Sequence, residues 1–210
     1  RGGHPMREAS AAGFPAHWYG NAVAVLPAWR RWLFGSGSLT ARLEAHCQQL
    51  LRVAPLAQGR APVAADERSL LGVSTRIAWV REVALIADNV AVVFARSVLV
   101  ASARAAWPLF FRVGTRPLGA LLFDDPAVSR GPIEAARIDS RHTLWRRAAH
   151  HALLRSGEER VALWARRSCF WRFGKPLLVQ ELFLPGIATL DPGLHQAGAW
   201  PSRRAVNPVE

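Results

Sequence analysis

Glu181 stands in the middle of "KPLLVQELFLP", residues 175–185, an otherwise mostly apolar run. Strand alternation puts Leu177, Val179, Glu181 and Phe183 on one face and Leu178, Gln180, Leu182 and Leu184 on the other. A carboxylate is thereby set among apolar neighbours. Two arginines are in the same position. In "RIAWVREVALIA", Arg81 shares a face with Trp79, Val83 and Leu85, while Glu82 lies on the lighter face with Val80 and Ala84. In "VAVVFARSVLV", Arg96 shares a face with Val92, Phe94, Val98 and Val100. A buried charge without a partner costs several kcal/mol, so each of the three needs a reason. One reason is a structural ion pair of Glu181 with Arg81 or Arg96. A second is that these faces are less buried than their pattern implies. The third is a dry pocket for an organic acid. The planar guanidinium fork matches the two oxygens of a carboxylate. A buried glutamate suits a hydroxyl, and burial raises its pKa toward the range useful in acid–base chemistry.

Other chemistries find less support. His150 and His151 are adjacent, so on a helix they face different ways and make a poor metal pair. The remaining histidines have no ligand spacing with Cys47 or Cys169. There is no phosphate loop and no dinucleotide fingerprint. "GVS" and "GSGS" lack the strand–turn–helix context of a serine nucleophile. An enzyme with this sequence is expected to work without metal or cofactor.

The elements that must position these residues follow from the same patterns. Asp88-Asn89 is a turn dipeptide between two β-rich runs, so residues 76–100 are expected to form a hairpin. If those two residues form the loop, Ala87 pairs with Val90, and counting back sets Arg81 opposite Arg96. Two facing guanidiniums are unfavourable without an anion between them. "CFWRFGKPLLVQELFLP" reads as a second hairpin turning at Gly174-Lys175. Short helices are expected over residues 27–34, from Ser38 or Thr40 onward in "SLTARLEAHCQQLL", over 102–111 with an interruption at Pro108, and from Pro117 to Phe123. "LAQGRAPVAADERS" reads as a polar connection, and residues 140–165 as helix broken at Ser156-Gly157.

The chain has 210 residues, enough for one domain. The expected division is a loose arm over residues 1–26, a folded domain over 27–185 and a flexible tail over 186–210. The net charge of +12 is almost all arginine, because Lys175 is the only lysine. The arginines are dispersed rather than gathered with aromatics, which favours an arginine-rich genome over a nucleic-acid surface. A diffuse positive field would still speed capture of a small anion. No apolar run reaches the ~18 residues of a membrane span, and no leader pattern occurs at the start. Two cysteines, expected as reduced thiols, fit a cytoplasmic protein.

"WVREVAL-IAD", "RPLGALLF", "LWARRS" and "GKPLLVQELFLP" together, in this order, resemble the motifs of the chorismate pyruvate-lyase family, from about Trp29 to Pro185. "ELFLP" is the most specific of them. The resemblance implies an α+β fold, a single antiparallel sheet flanked by helices, with the ligand enclosed beneath helical flaps. It implies a cofactor-independent lyase that converts chorismate to 4-hydroxybenzoate and pyruvate, opening ubiquinone synthesis. A monomer with no nucleic-acid partner is expected. By resemblance, Arg81 grips the ring carboxylate, the backbone N–H of Leu118 also faces it, Glu181 meets the ring hydroxyl, and Leu39 occupies a flap position. Arg96 is added for the second carboxylate of chorismate, on the strength of its face and its expected pairing with Arg81. Whether Glu181 moves a proton or only binds stays open. The alternative is a non-catalytic sensor of small aromatic acids with the same fold, which should carry a helix-turn-helix that residues 1–26 are too short and too rich in Pro and Gly to form.

Overall fold

The computed structural model describes residues 16–23, 25–154 and 161–196. Most of the expected arm, the expected break at Ser156-Gly157 and the last residues of the expected tail lie outside them. Seven α-helices and seven strands are described, in the order α1 (Pro27–Leu33), α2 (Leu39–Glu44), β1 (Leu51–Pro62), α3 (Ala65–Leu71), β2 (Ile77–Ala87), β3 (Val90–Leu99), α4 (Leu109–Arg112), α5 (Leu118–Asp124), β4 (Val128–Arg130), β5 (Glu134–Ile138), α6 (Thr143–His150), β6 (Leu163–Arg172), β7 (Lys175–Phe183) and α7 (Gly193–Gln196), with 3-10 helices over Ala101–Ala106 and Pro185–Thr189. The strands form one antiparallel sheet in the order β1-β2-β3-β7-β6-β4, with β5 also pairing β6. This is the expected α+β architecture.

Both hairpins form, each with a difference from its expected register. Asp88 and Asn89 carry φ of 47° and 66° at the first turn, the left-handed pair that a two-residue hairpin loop requires. Ala87 pairs with Val90 as expected, but Ile86 faces Ala91 and Leu85 faces Val93, so Val92 is an extra residue, a bulge. The bulge moves every later pair by one. Arg81 therefore faces Ser97 and Arg96 faces Glu82, which replaces the expected like-charge pair with an opposite-charge one. In the second hairpin the turn is Phe173-Gly174, with φ of 51° and 68°, and Arg172 pairs with Lys175.

The expected polar connection holds an edge strand and a helix. β1 was obscured because only Leu51 and Val53 are buried, and because Pro55 sits beside a bulge on a strand with a free edge. In α3, Glu67 reaches back to accept from the Ala64 N–H at 2.8 Å. Packing also continues past residue 185. Ile187, Ala188, Asp191 and Leu194 are buried, and the Asp191 carboxylate accepts from the Trp32 indole at 2.8 Å. At the other end Tyr19 makes an isolated bridge to Ala135.

The two faces of the sheet are covered differently. α1 and α2 pack Trp29, Leu33, Leu39 and Leu43 with Val83, Leu85 and Phe183 on the first face. α6 packs Leu144, Trp145 and Ala148 with Phe94 and Leu182 on the second. The second face also carries a row of polar residues in register across five strands: Glu82, Arg96, Gln180, Arg167 and Glu134. Glu67 descends onto this row from α3. Arg96 donates to Glu67 at 2.7 Å, to Glu82 at 2.6 Å and to the Pro62 carbonyl at 2.8 Å, and Gln180 donates to Glu67 at 2.6 Å. Arg147 and His151, at the end of α6, complete the shell of Glu82.

This shell sets an acid limit on stability. Burial alone would raise the Glu82 pKa, but hydrogen bonds from Arg147, His151 and Arg96 outweigh it and hold the carboxyl at about 2, against an ordinary 4.5. A depressed folded-state pKa stabilises fully above the unfolded value and is lost as pH falls through the folded one. The window is therefore roughly pH 4.5 to 2, and at ~1.4 kcal/mol per unit it holds on the order of 3 kcal/mol. The urea midpoint should fall across this window more steeply in the wild type than in Glu82→Gln. Parallel pH profiles would show that Glu82 contributes nothing to acid lability.

Candidate active site

At the centre of the first face a cavity of about 610 Å³, counted out to its mouth, is left between sheet and helices. Its floor consists of Val53 on β1, Arg81, Val83 and Leu85 on β2, Ala95 and Ser97 on β3, Val179 and Glu181 on β7, and Arg166 and Phe170 on β6. Its roof is Leu39 and Thr40 from α2 with Pro117, Leu118, Gly119, Leu122 and Phe123 from the start and face of α5. The two roof helices touch. A Cβ on Gly119 would lie 3.2 Å from Ser38 Oγ and 3.6 Å from Thr40 Oγ1, so the absence of a side chain there lets the helices meet over the cavity.

Four of the five residues singled out in the sequence line this one cavity: Leu39, Arg81, Leu118 and Glu181. Arg96 does not. It projects from the second face into the Glu67–Glu82 cluster, because the bulge at Val92 and the strand alternation turn it away from Arg81. Its expected role at the ligand's second carboxylate is withdrawn on that ground.

Glu181 has a partner that the sequence did not point to. Its Oε2 accepts from Arg166 Nε, its neighbour across β6 and β7, rather than from Arg81 or Arg96. Arg166 is 2% exposed, and its Nη1 donates to the Trp32 carbonyl at 3.1 Å, at the end of α1. One carboxylate oxygen of Glu181 is thus committed, and the pair is anchored to the helix that leads into the roof. Among the described residues Glu181 is the only acidic side chain in the lining, and none of them contributes a His, Lys, Cys or Tyr to it.

Arg81 is differently placed. It is 3% exposed, donates from Nη2 to the Gly114 carbonyl at 2.8 Å, and its buried Nε has no partner. No carboxylate pairs with it among the described residues, and burial pulls its pKa below the usual arginine value. Such a group is paired by an incoming anion at little further desolvation cost. Leu118 is the first residue of α5, and its N-cap, Pro117, offers no side-chain acceptor, which leaves first-turn amides for a ligand or solvent.

The sequence missed two arginines of the lining, Arg130 and Arg166. Arg166 was within reach. Alternation along β6 puts Trp164, Arg166, Ser168 and Phe170 on one face, the same signal that marked Glu181. It is hidden because the apolar run opens at Cys169 and the mixed charge pattern over 140–165 suggests helix. Arg130 ends a three-residue strand before Gly131-Pro132, too short for any period to show. Among the described residues no cluster of His, Cys, Asp and Glu could hold a metal ion, and no helix is long and apolar enough to cross a membrane. Cys47 and Cys169 are both free thiols.

Comparison with known proteins gives a consistent picture. The family model described as chorismate lyase matches residues 18–190. A protein named "Probable chorismate pyruvate-lyase" from Aromatoleum aromaticum is 48% identical over 163 residues, 77% of this chain and 86% of that protein. One of the same name from Thiobacillus denitrificans is 43% identical over 180 residues, covering 85% of this chain and 94% of that protein. Among solved structures, the effector domain of PhnF from Mycobacterium smegmatis matches with a TM-score of 0.48 at 16% identity, over 71% of this chain and 89% of that one.

Proposed function

Because this chain belongs to the chorismate lyase family, we propose that its cavity takes chorismate and eliminates the enolpyruvyl group, yielding 4-hydroxybenzoate and pyruvate at the entry to ubiquinone synthesis. The observation that carries this reading is the placement of Arg81 and Glu181 on one floor. They lie two strands apart across the sheet and two residues apart along it. With ~4.8 Å between strands and ~3.4 Å per residue, their backbones are roughly 12 Å apart. Two long side chains rising from that spacing suit the two ends of a para-substituted ring acid: a guanidinium without a carboxylate partner for the ring carboxylate, and a carboxylate oxygen for the ring hydroxyl.

The reaction asks for positioning, a base and the exclusion of water. The bond from C3 to the ether oxygen breaks, and its electron pair leaves with enolpyruvate. The C4–H pair becomes the C3–C4 double bond of the aromatic ring, and the proton goes to a base. Enolpyruvate takes up a proton and becomes pyruvate. Aromatisation supplies the driving force. Arg81 and the amide of Leu118 fix the carboxylate end. Glu181, beside the hydroxyl on C4, is the only lining carboxylate among the described residues, so it receives the C4 proton. Leu39 and Leu122, both buried, cover the cavity and lower the dielectric around the departing charge, where the guanidiniums act on it more strongly.

No step needs a metal or cofactor. Every residue invoked comes from one chain, so a monomer is sufficient, and we place it in the cytoplasm, which suits its two free thiols. The test is to add chorismate to the protein after treatment with a chelator and to measure both products. Equal amounts of pyruvate and 4-hydroxybenzoate are expected, unchanged by the chelator. Tight binding of aromatic acids with chorismate recovered intact would favour the sensor instead.

A further inference from the structure

Chorismate carries a second carboxylate, on the enolpyruvyl group, and the partner first expected for it is on the wrong face of the sheet. We infer that Arg130, on β4, receives this carboxylate and thereby distinguishes chorismate from its product; the inference rests on the reading of the cavity as a chorismate site. Arg130 lines the cavity. Its guanidinium lies 5.2 Å from the centroid of the Phe170 ring and 5.7 Å from that of Phe123, so its stem and charge are held by one floor residue and one roof residue. Nε donates to Ser168 Oγ at 3.2 Å, and Ser168 in turn donates to the Gly131 carbonyl at 3.0 Å. These contacts fix the guanidinium without neutralising it. Among the described residues Arg130 and Arg81 are the two lining arginines with no carboxylate partner, whereas Arg166 is paired with Glu181.

Position selects which carboxylate each takes. Across the sheet the order of side chains is Arg81 on β2, Glu181 on β7, Arg166 on β6 and Arg130 on β4. Arg130 is therefore beyond Glu181 across the strands and four residues back along them, since its partner Phe170 faces Leu177. In chorismate the ether oxygen is on the carbon next to the one bearing the hydroxyl, so the enolpyruvyl group leaves the ring at the end that Glu181 holds. With the ring carboxylate on Arg81 and the hydroxyl on Glu181, the ring orientation that turns its C3 edge to β6 projects the side chain toward β6 and β4. Burial and repulsion from Arg166 pull the Arg130 pKa down to about 10, as expected for a cation waiting for an anion. Arg42, on neighbouring α2, is not an equivalent candidate. Its Nη2 is taken by the Ser36 carbonyl and it does not line the cavity.

The test compares a ligand with the second carboxylate and one without it. Arg130→Met keeps an apolar stem between Phe123 and Phe170 and removes the charge, and Arg130→Lys restores the charge. For Arg130→Met the chorismate KM is expected to rise at least about tenfold, while the Kd for 4-hydroxybenzoate changes less than about threefold. Arg130→Lys should recover part of the loss. Equal losses for both ligands, or an unchanged KM, would overturn the assignment. If Arg130→Met does not fold, Arg130→Gln decides: a folded Gln variant with wild-type KM and kcat overturns it, and a raised KM at wild-type product affinity supports it. Should the wild type bind both ligands without turning chorismate over, the lyase reading fails separately. The same comparison of the two affinities would then still judge Arg130.

Discussion

Glu181→Gln is expected to bind 4-hydroxybenzoate within a few-fold of the wild type and to turn over chorismate at least about a hundredfold more slowly. Glutamine fills the same volume, and its carbonyl oxygen can accept from Arg166 as the carboxylate Oε2 does. The amide nitrogen then faces the ring hydroxyl and can donate to it, so the product keeps a hydrogen bond at that end. What the amide cannot do is accept the C4 proton. The rest of the lining is apolar, hydroxyl or arginine, and arginine does not deprotonate in proteins. No neighbour can therefore take over. Steady-state kinetics beside a product titration separates the possibilities. Turnover near wild type, with affinity alone reduced, would make Glu181 a binding group. Wild-type values in both would make it structural.

The other large effect is on stability. Arg96→Ala leaves Glu67 and Glu82, 2% and 0% exposed, without the guanidinium that bridges them. Breaking a buried pair by removing one partner costs about 3–5 kcal/mol. In a chain of this size each kcal/mol lowers Tm by about 2–4 °C, so a drop of at least about 6 °C is expected, or failure to accumulate as soluble protein. Because Arg96 faces away from the cavity, the folded fraction should keep its affinity for 4-hydroxybenzoate and its turnover per active site. A variant of normal Tm that selectively lost chorismate turnover would return Arg96 to the substrate and contradict the register described here.

The contrast between Arg81 and Arg96 shows how far the sequence can be read. Both are arginines on apolar strand faces, and alternation marks both as needing a partner. Which face becomes the pocket and which the ion-pair cluster depends on a single extra residue, Val92, and a bulge has no signature in a run of valines. Glu181 was legible because its strand is long and regular, whereas Leu118 came from the resemblance, and Pro117 marked only the helix start on which it lies. The identity of Glu181's partner was not legible. Ion pairing between β6 and β7 depends on register, and the turn falls at Phe173-Gly174, one residue before the Gly174-Lys175 the composition suggests. β1 escaped notice because an edge strand needs to bury little, so its alternation fades after Val53. The second-face cluster was invisible for a different reason. It is assembled from α3, β2, β3, β7 and α6, and no local pattern unites Glu67, Glu82, Arg96, Gln180 and Arg147.

We propose that one sheet face holds a ring acid by both ends, with Arg81 at the carboxylate and Glu181 at the hydroxyl. A structure of the protein with 4-hydroxybenzoate tests it most directly. The ring should lie on Val83, Ala95 and Val179 beneath Leu39 and Leu118, with the carboxylate on the Arg81 guanidinium and the hydroxyl within hydrogen-bond distance of Glu181. A product bound in the reverse sense, with its carboxylate on Arg130 or Arg166, or bound outside this cavity, would contradict it.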